Sequence, residues 1–219
     1  MSFAVRPIGL VKSAFVFRQT ISSDATNYVL RNAAITAGWD GIVPLDAEVT
    51  VASGIVLSAD STSQYAFDTG ATFPAGTTLT LVNNGFVIGM GGAGGAGWTA
   101  GSNGGPALRA QYAISIDAAG GVIGGGGGGG RSGRTNAAGG GGGTSGTFSS
   151  GGNGGNSGGA GGTTGPGGDD SGGGGGGGGG WGASGGTAVY YAGGTGGAAV
   201  VGNSYITWIN TGTRYGAIT

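Results

Sequence analysis

The sequence predicts a mainly β protein that carries a bundle of extended glycine rods and one short helix near its amino terminus. Three observations lead there. Glycine fills 62 of 219 positions and concentrates between Gly89 and Gly197. Short segments of alternating apolar and hydroxyl residues flank and interrupt that stretch, each closing on glycine. A single segment upstream carries both the start and the stop signals of a helix.

From the amino terminus, MSFAVRPIGLVKSAFVFRQT interleaves Arg6, Lys12 and Arg18 with apolar residues. These charges break any signal-peptide apolar core or membrane span, so we expect no cleaved leader. Residues 3–18 fit a strand pair or a docking segment equally well. Next, Ser23 or Asp24 precedes TNYVLRNAAITAG, with apolar Tyr28, Val29, Ala33 and Ile35 and a glycine at position 38. A capping residue, an apolar stripe and a terminal glycine predict a helix from about Ala25 to Ala37.

Three segments then repeat one pattern: LTLVNNGFVIG at 79–89, ISIDAAGGVIG at 114–124 and ITWINTGTRYG at 206–216. The alternation predicts a half-buried strand, a turn at Gly85, Gly120 or Gly212, and a second extended piece. VTVASGIVL at 49–57 is a shorter copy. Such strand-turn-strand units cannot bury a face alone and are expected to stack, as coils or as hairpins. The spacing is 35 residues between the first two full units and 92 between the last two, which makes the long glycine stretch an insertion.

Runs of glycine are ordinarily flexible linkers, because glycine loses the most backbone entropy on folding. We read these as ordered, held by backbone hydrogen bonds between chains packed too closely to admit a Cβ. Collagen needs a strict Gly-X-Y period and abundant proline, and this chain has 5 prolines. A polyglycine II bundle fits better: three residues per turn, rising about 3.1 Å each, so Gly172–Gly180 would reach about 28 Å. The runs near 89–97, 124–130, 139–143, 151–162, 172–180 and 193–197 would form about half a dozen rods in a sandwich.

Composition narrows the function. A formal charge of −1 and the lack of a basic stripe argue against nucleic acid or an anionic membrane surface as partner. Without Cys or His there is no thiol or imidazole catalysis, no disulfide and no ordinary zinc site. Lys12 is the only lysine and no phosphate-loop motif occurs. Asp169 and Asp170 are the one adjacent carboxylate pair inside the glycine stretch. They read as a solvated loop rather than a cation site or a glycosidase pair, which needs two carboxyls held about 5–9 Å apart. The chain reads as neither an enzyme nor a cofactor or metal protein.

The runs GMGGAGGAG, GGGGGGGRSGRTNAAGGGGG and GGNGGNSGGAGG, closed by YITWINTGTRYGAI, resemble the glycine-rich receptor-binding adhesins and tail-fibre tip proteins of tailed bacteriophages. The resemblance covers residues 73–219. It implies a polyglycine II sandwich whose inter-run loops touch a host receptor, either an outer-membrane protein or a surface polysaccharide. It further implies a place in the virion beside other tail proteins; a homotrimer is the assembly considered. The expected division is 1–72 for attachment and assembly and 73–219 for receptor binding. By position, the contact candidates are Trp98, Arg131, Arg134, Phe148, Asp169, Asp170, Trp181, Tyr190 and Tyr191. Aromatics and arginine supply large contact energy at low rotamer cost. Arg131, Arg134 and Phe148 are expected exposed, since a layer of glycine rods has no interior. Trp98 and Trp181 fit capping of the lattice ends as well as recognition. Two other functions use the same scaffold: a structural tail or decoration protein, and an ice-binding protein, which would need a flatter and more regular face.

Overall fold

The computed structural model describes residues 13–96, 98–133, 143, 164–169, 174–188 and 191–219. The chain winds in successive coils, each laying one strand on each of three faces. The first coil is β1 (Phe15–Ile21), β2 (Ala25–Thr26) and β3 (Tyr28–Val29), followed by helix α1 (Leu30–Thr36). The second is β4 (Leu45–Val51), β5 (Val56–Ser58) and β6 (Phe67–Asp68); the third is β7 (Thr78–Asn83), β8 (Phe86–Ile88) and β9 (Leu108–Arg109). The fourth is β10 (Ile114–Asp117), β11 (Val122–Gly124) and β12 (Val200–Val201), and β13 (Ile206–Asn210) with β14 (Thr213–Tyr215) begins a fifth. The sheets run β1-β4-β7-β10-β13, β14-β11-β8-β5-β2 and β12-β9-β6-β3. Every ladder between these strands is parallel. That excludes hairpins and leaves stacked coils.

Alternation dictates which side chains turn inward, and the parallel register stacks them rung upon rung. Val49, Leu81, Ile116 and Trp208 share one line on the first sheet. Leu57, Val87 and Ile123 share one on the second, and Phe67, Leu108 and Val200 one on the third. Those of the second to fourth coils are fully buried in a single core to which all three sheets contribute. Each fully buried aliphatic chain contributes about 1.5–3 kcal/mol. Gly85 turns a corner where a methyl would overlap the Ile55 and Ala52 carbonyls. The carboxyl-terminal residues complete the third sheet: Ala199 N–H donates to the Ala217 carbonyl at 2.9 Å and Thr219 N–H to that of Val200 at 3.1 Å.

The helix is shorter than its sequence signals suggest, and Ser23 and Asp24 do not cap it. Asp24 instead accepts the Val56 N–H at 2.8 Å. Ala25–Thr26 and Tyr28–Val29 then pair with β5 and β6, and the helix starts after Val29 with no side-chain cap. Ladder pairing and the stacking of Tyr28 on Phe67 outcompete the first turn and more of the expected helix. Gly38, at φ +104°, ends the helix as expected.

Two long excursions leave the coils, residues 89–107 between β8 and β9 and residues 125–199 between β11 and β12. Both depart from the second sheet and return to the third, so they issue from one corner. Their backbones hydrogen-bond with a three-residue recurrence. The N–H groups of Gly89, Gly92 and Gly95 donate to the carbonyls of Gly124, Gly127 and Gly130, each at 2.8 Å. Those of Gly126, Gly129 and Ser132 donate to Gly105, Ser102 and Thr99. The carbonyls of Gly126 and Gly129 accept from Gly197 and Gly194, and those of Gly125, Gly128 and Arg131 from Gly182, Gly179 and Gly176. Residues 124–132 thus form a central rod with partners on several sides.

Candidate functional site

The bundle has two ends. At the base, Gly182 N–H donates to Gly125 and Gly125 N–H to Tyr215 of β14. Six residue steps of extended chain away, on the order of 20 Å, lie Arg131–Gly133, the last described residues of the central rod. Here Thr99 accepts from Ser132 at 3.2 Å, Arg131 accepts from Gly176 at 2.9 Å, and Arg131 N–H donates to Gly186 at 3.4 Å. Ala96 and Thr99, the last described residues of the central rod, and the arm made by residues 186–188 and Tyr191 therefore meet at the end away from the coils.

Trp98 stands on that tip, 54% exposed, in the left-handed region at φ +73°. A bulky residue rarely adopts that conformation unless its surroundings hold it there. Thr99 does the holding: its hydroxyl accepts the Ala96 N–H at 3.0 Å and donates to the Ala96 carbonyl at 2.6 Å. Sequence reasoning missed Thr99, although a threonine beside a glycine and a tryptophan is an ordinary side-chain turn signal.

Arg131 lies on the tip but is only 2% exposed, which corrects the expectation of an exposed arginine. A glycine lattice does have an interior where neighbouring turns close over the end of a rod. Its Nη1 donates to the Ala188 carbonyl at 2.9 Å, and its Cζ lies 4.3 Å from the centre of the Tyr191 ring. Its Nε is buried without a partner. Tyr191 is 63% exposed, and its backbone forms an antiparallel bridge with Ala188.

Asp169 joins the same arm, its exposed carboxylate accepting the Thr187 N–H at 2.7 Å. That backbone donor, with the Thr187 hydroxyl, holds the carboxyl below its usual range. Arg131 and Asp169 thus bond to neighbouring residues, Ala188 and Thr187. Trp181 is elsewhere. It is 4% exposed at the base, its ring 6.2 Å from those of Phe86 and of Tyr215, so it wedges bundle against coils. Arg134, Phe148, Asp170 and Tyr190 lie outside the described residues. Among the described residues no three acidic or other metal-ligating side chains come together.

The structure is thus one of parallel coils that carry a hydrogen-bonded glycine bundle, with exposed aromatics at the end away from the coils. A solved structure of similar fold is the crystal structure of the gp37-gp38 adhesin tip complex of the bacteriophage S16 long tail fiber. The TM-score is 0.64 at 25% identity, over 93% of this chain and 82% of that one. No curated protein matches the chain. The family model of the phage tail fibre adhesin Gp38 matches residues 16–219, and the chain belongs to that family. Its place is accordingly the tail fibre of a virion.

Proposed function

We propose that this adhesin binds a bacterial surface receptor, an outer-membrane protein or a surface polysaccharide, through the connections gathered at the free end of the glycine bundle, and that this contact starts adsorption. The observation that carries the reading is the placement of Trp98 and Tyr191, two large exposed aromatics on a rigid support at the end away from the coils. Preorganisation lowers the ordering cost of binding, and aromatic anchors concentrate its energy. The bundle we read as polyglycine II, on the three-residue recurrence of its hydrogen bonds. The coils we read as strand-turn-strand repeats, since β7 and β8 flank Gly85 and β13 and β14 flank Gly212.

Residues 1–72 are proposed to serve attachment and 73–219 recognition, although all three sheets draw strands from both sides of that line. The S16 relative forms its tip complex with gp37; a fibre protein is the partner we propose here. The role is binding rather than catalysis. A purely structural decoration protein has no use for clamped, exposed aromatics, and the spacing of Asn153, Asn156, Ala160 and Thr163 along the sequence is too irregular for the repeat an ice-binding face requires.

The test is adsorption of the Trp98→Ala/Tyr191→Ala variant to intact cells of the strain on which the parent phage plates. Each aromatic anchor is worth about 2 kcal/mol or more, so binding should fall at least tenfold while the melting temperature is kept. Unchanged adsorption would retire this tip as the receptor site. Substituting Arg131 is a poor version of the experiment, because it disturbs the interior of the tip.

A further inference from the structure

We propose that Arg131 is a positioning residue of the adhesin: from inside the glycine bundle it fixes Ala188 and sets the exposed ring of Tyr191 at the angle in which it meets the receptor. The inference rests on the reading of the tip as the receptor site and adds how one of its contacts is aimed.

Four observations converge on it. Arg131 is anchored at its own backbone, accepting from Gly176 and donating to Gly186, so its side chain starts from a fixed point. The side chain is buried and reaches the arm rather than solvent. Its Nη1 donates to the Ala188 carbonyl at 2.9 Å, the same oxygen that accepts the Tyr191 N–H at 3.2 Å, so one acceptor ties the arginine to the backbone of the aromatic residue. Its guanidinium lies against the Tyr191 ring, 4.3 Å from the centre, while the ring stays 63% exposed. A desolvated guanidinium is costly to bury, and an apolar residue of like volume would fill the space more simply. What the arginine adds is direction: a planar fork that holds a carbonyl and a ring face together. With Asp169 holding Thr187, the arm is gripped both before Ala188 and at Tyr191.

The test uses the full chain in five forms: wild type, Tyr191→Ala, Arg131→Met, Arg131→Lys and the double variant Arg131→Met/Tyr191→Ala. Adsorption to intact cells of the propagating strain is read beside hydrogen-exchange protection of the Tyr191 amide. Tyr191→Ala is expected to lower adsorption about tenfold or more. Arg131→Met should lower it comparably and strip protection from the Tyr191 amide, and the double variant should be no worse than Tyr191→Ala alone. Arg131→Lys should restore part of both readouts. If Tyr191→Ala loses adsorption while Arg131→Met keeps both adsorption and protection, the positioning role is overturned and the receptor site stands. If Tyr191→Ala adsorbs normally, the arm is not part of the site and both readings of it fall. Should Arg131→Met not fold, Arg131→Lys decides: wild-type values of both readouts overturn the proposal, and reduced values of both support it.

Discussion

Asp169 is solvent-facing, yet the Thr187 N–H at 2.7 Å stabilises its charged form and depresses its pKa. A carboxyl depressed in the folded protein contributes stability that is present above its unfolded value, about 3.9, and is lost as pH falls through the lower folded value. The Thr187 amide proton resonance should therefore titrate with a midpoint below about 3.9. In Asp169→Asn, which keeps the acceptor oxygen and cannot ionise, it should stay flat. A wild-type midpoint at or above the ordinary value would show that the bond does not hold the arm in solution. Asp169 was legible in the sequence as a polar loop residue, but its partner was not, because an 18-residue separation inside glycine runs leaves no pattern to follow. Arg131 was misjudged for a related reason. Burial is normally read from apolar neighbours, and here the neighbours are backbone: Ala188, Gly176 and Gly186.

Among the elements, the rods of the glycine bundle hold glycines that leave no room for a side chain. A methyl at Gly126 would overlap the Met90 carbonyl and the Gly91 nitrogen, and one at Gly176 would overlap the Gly186 carbonyl. None of these is the yielding end of a side chain. Gly126→Ala and Gly176→Ala should each destabilise by about 1–3 kcal/mol or more through overpacking. Gly120→Ala meets only Asn84, whose side-chain oxygen is nearest at 3.2 Å and whose Cα lies at an ordinary 3.7 Å, and should cost less than about 1 kcal/mol. Urea denaturation of the three variants checks the order, and equal tolerance at all three positions would sink the close-packed bundle. The longer strands were readable because alternation over four to seven residues shows which face is buried, as in β4 and β7. The start of α1 was not, because Ser-Asp before an apolar stripe serves a helix cap and a coil corner alike. The third sheet was invisible for a different reason: β3, β6, β9 and β12 are two residues each, too short to display any period.

On the scale of the whole molecule, coils and bundle meet at one corner, and the amino-terminal region is the part proposed above to serve attachment. Phe17 of β1 is buried in the core, so a truncation beginning at Gln19 would damage the fold itself. Removing residues 1–12 is the cleaner cut. The shortened chain should keep its melting temperature and its binding to cells but fail to join the fibre, measured by its copy number in purified virions. Normal incorporation would place attachment elsewhere. The common corner bears on force as well. A particle that holds a cell through the tip is a tether, and a pull on it runs along the rods. Each rod can slide past its neighbour only by breaking bonds set at every third residue together, in shear, rather than one at a time as in peeling. At about 0.5–1.5 kcal/mol net each, these bonds are weak alone and strong in parallel. The second excursion leaves from β11 and returns to β12, so its load divides between two sheets before it reaches the fibre. On the function proposed above, a load applied at the tip would therefore be shared among many backbone bonds at once before it reached the coils.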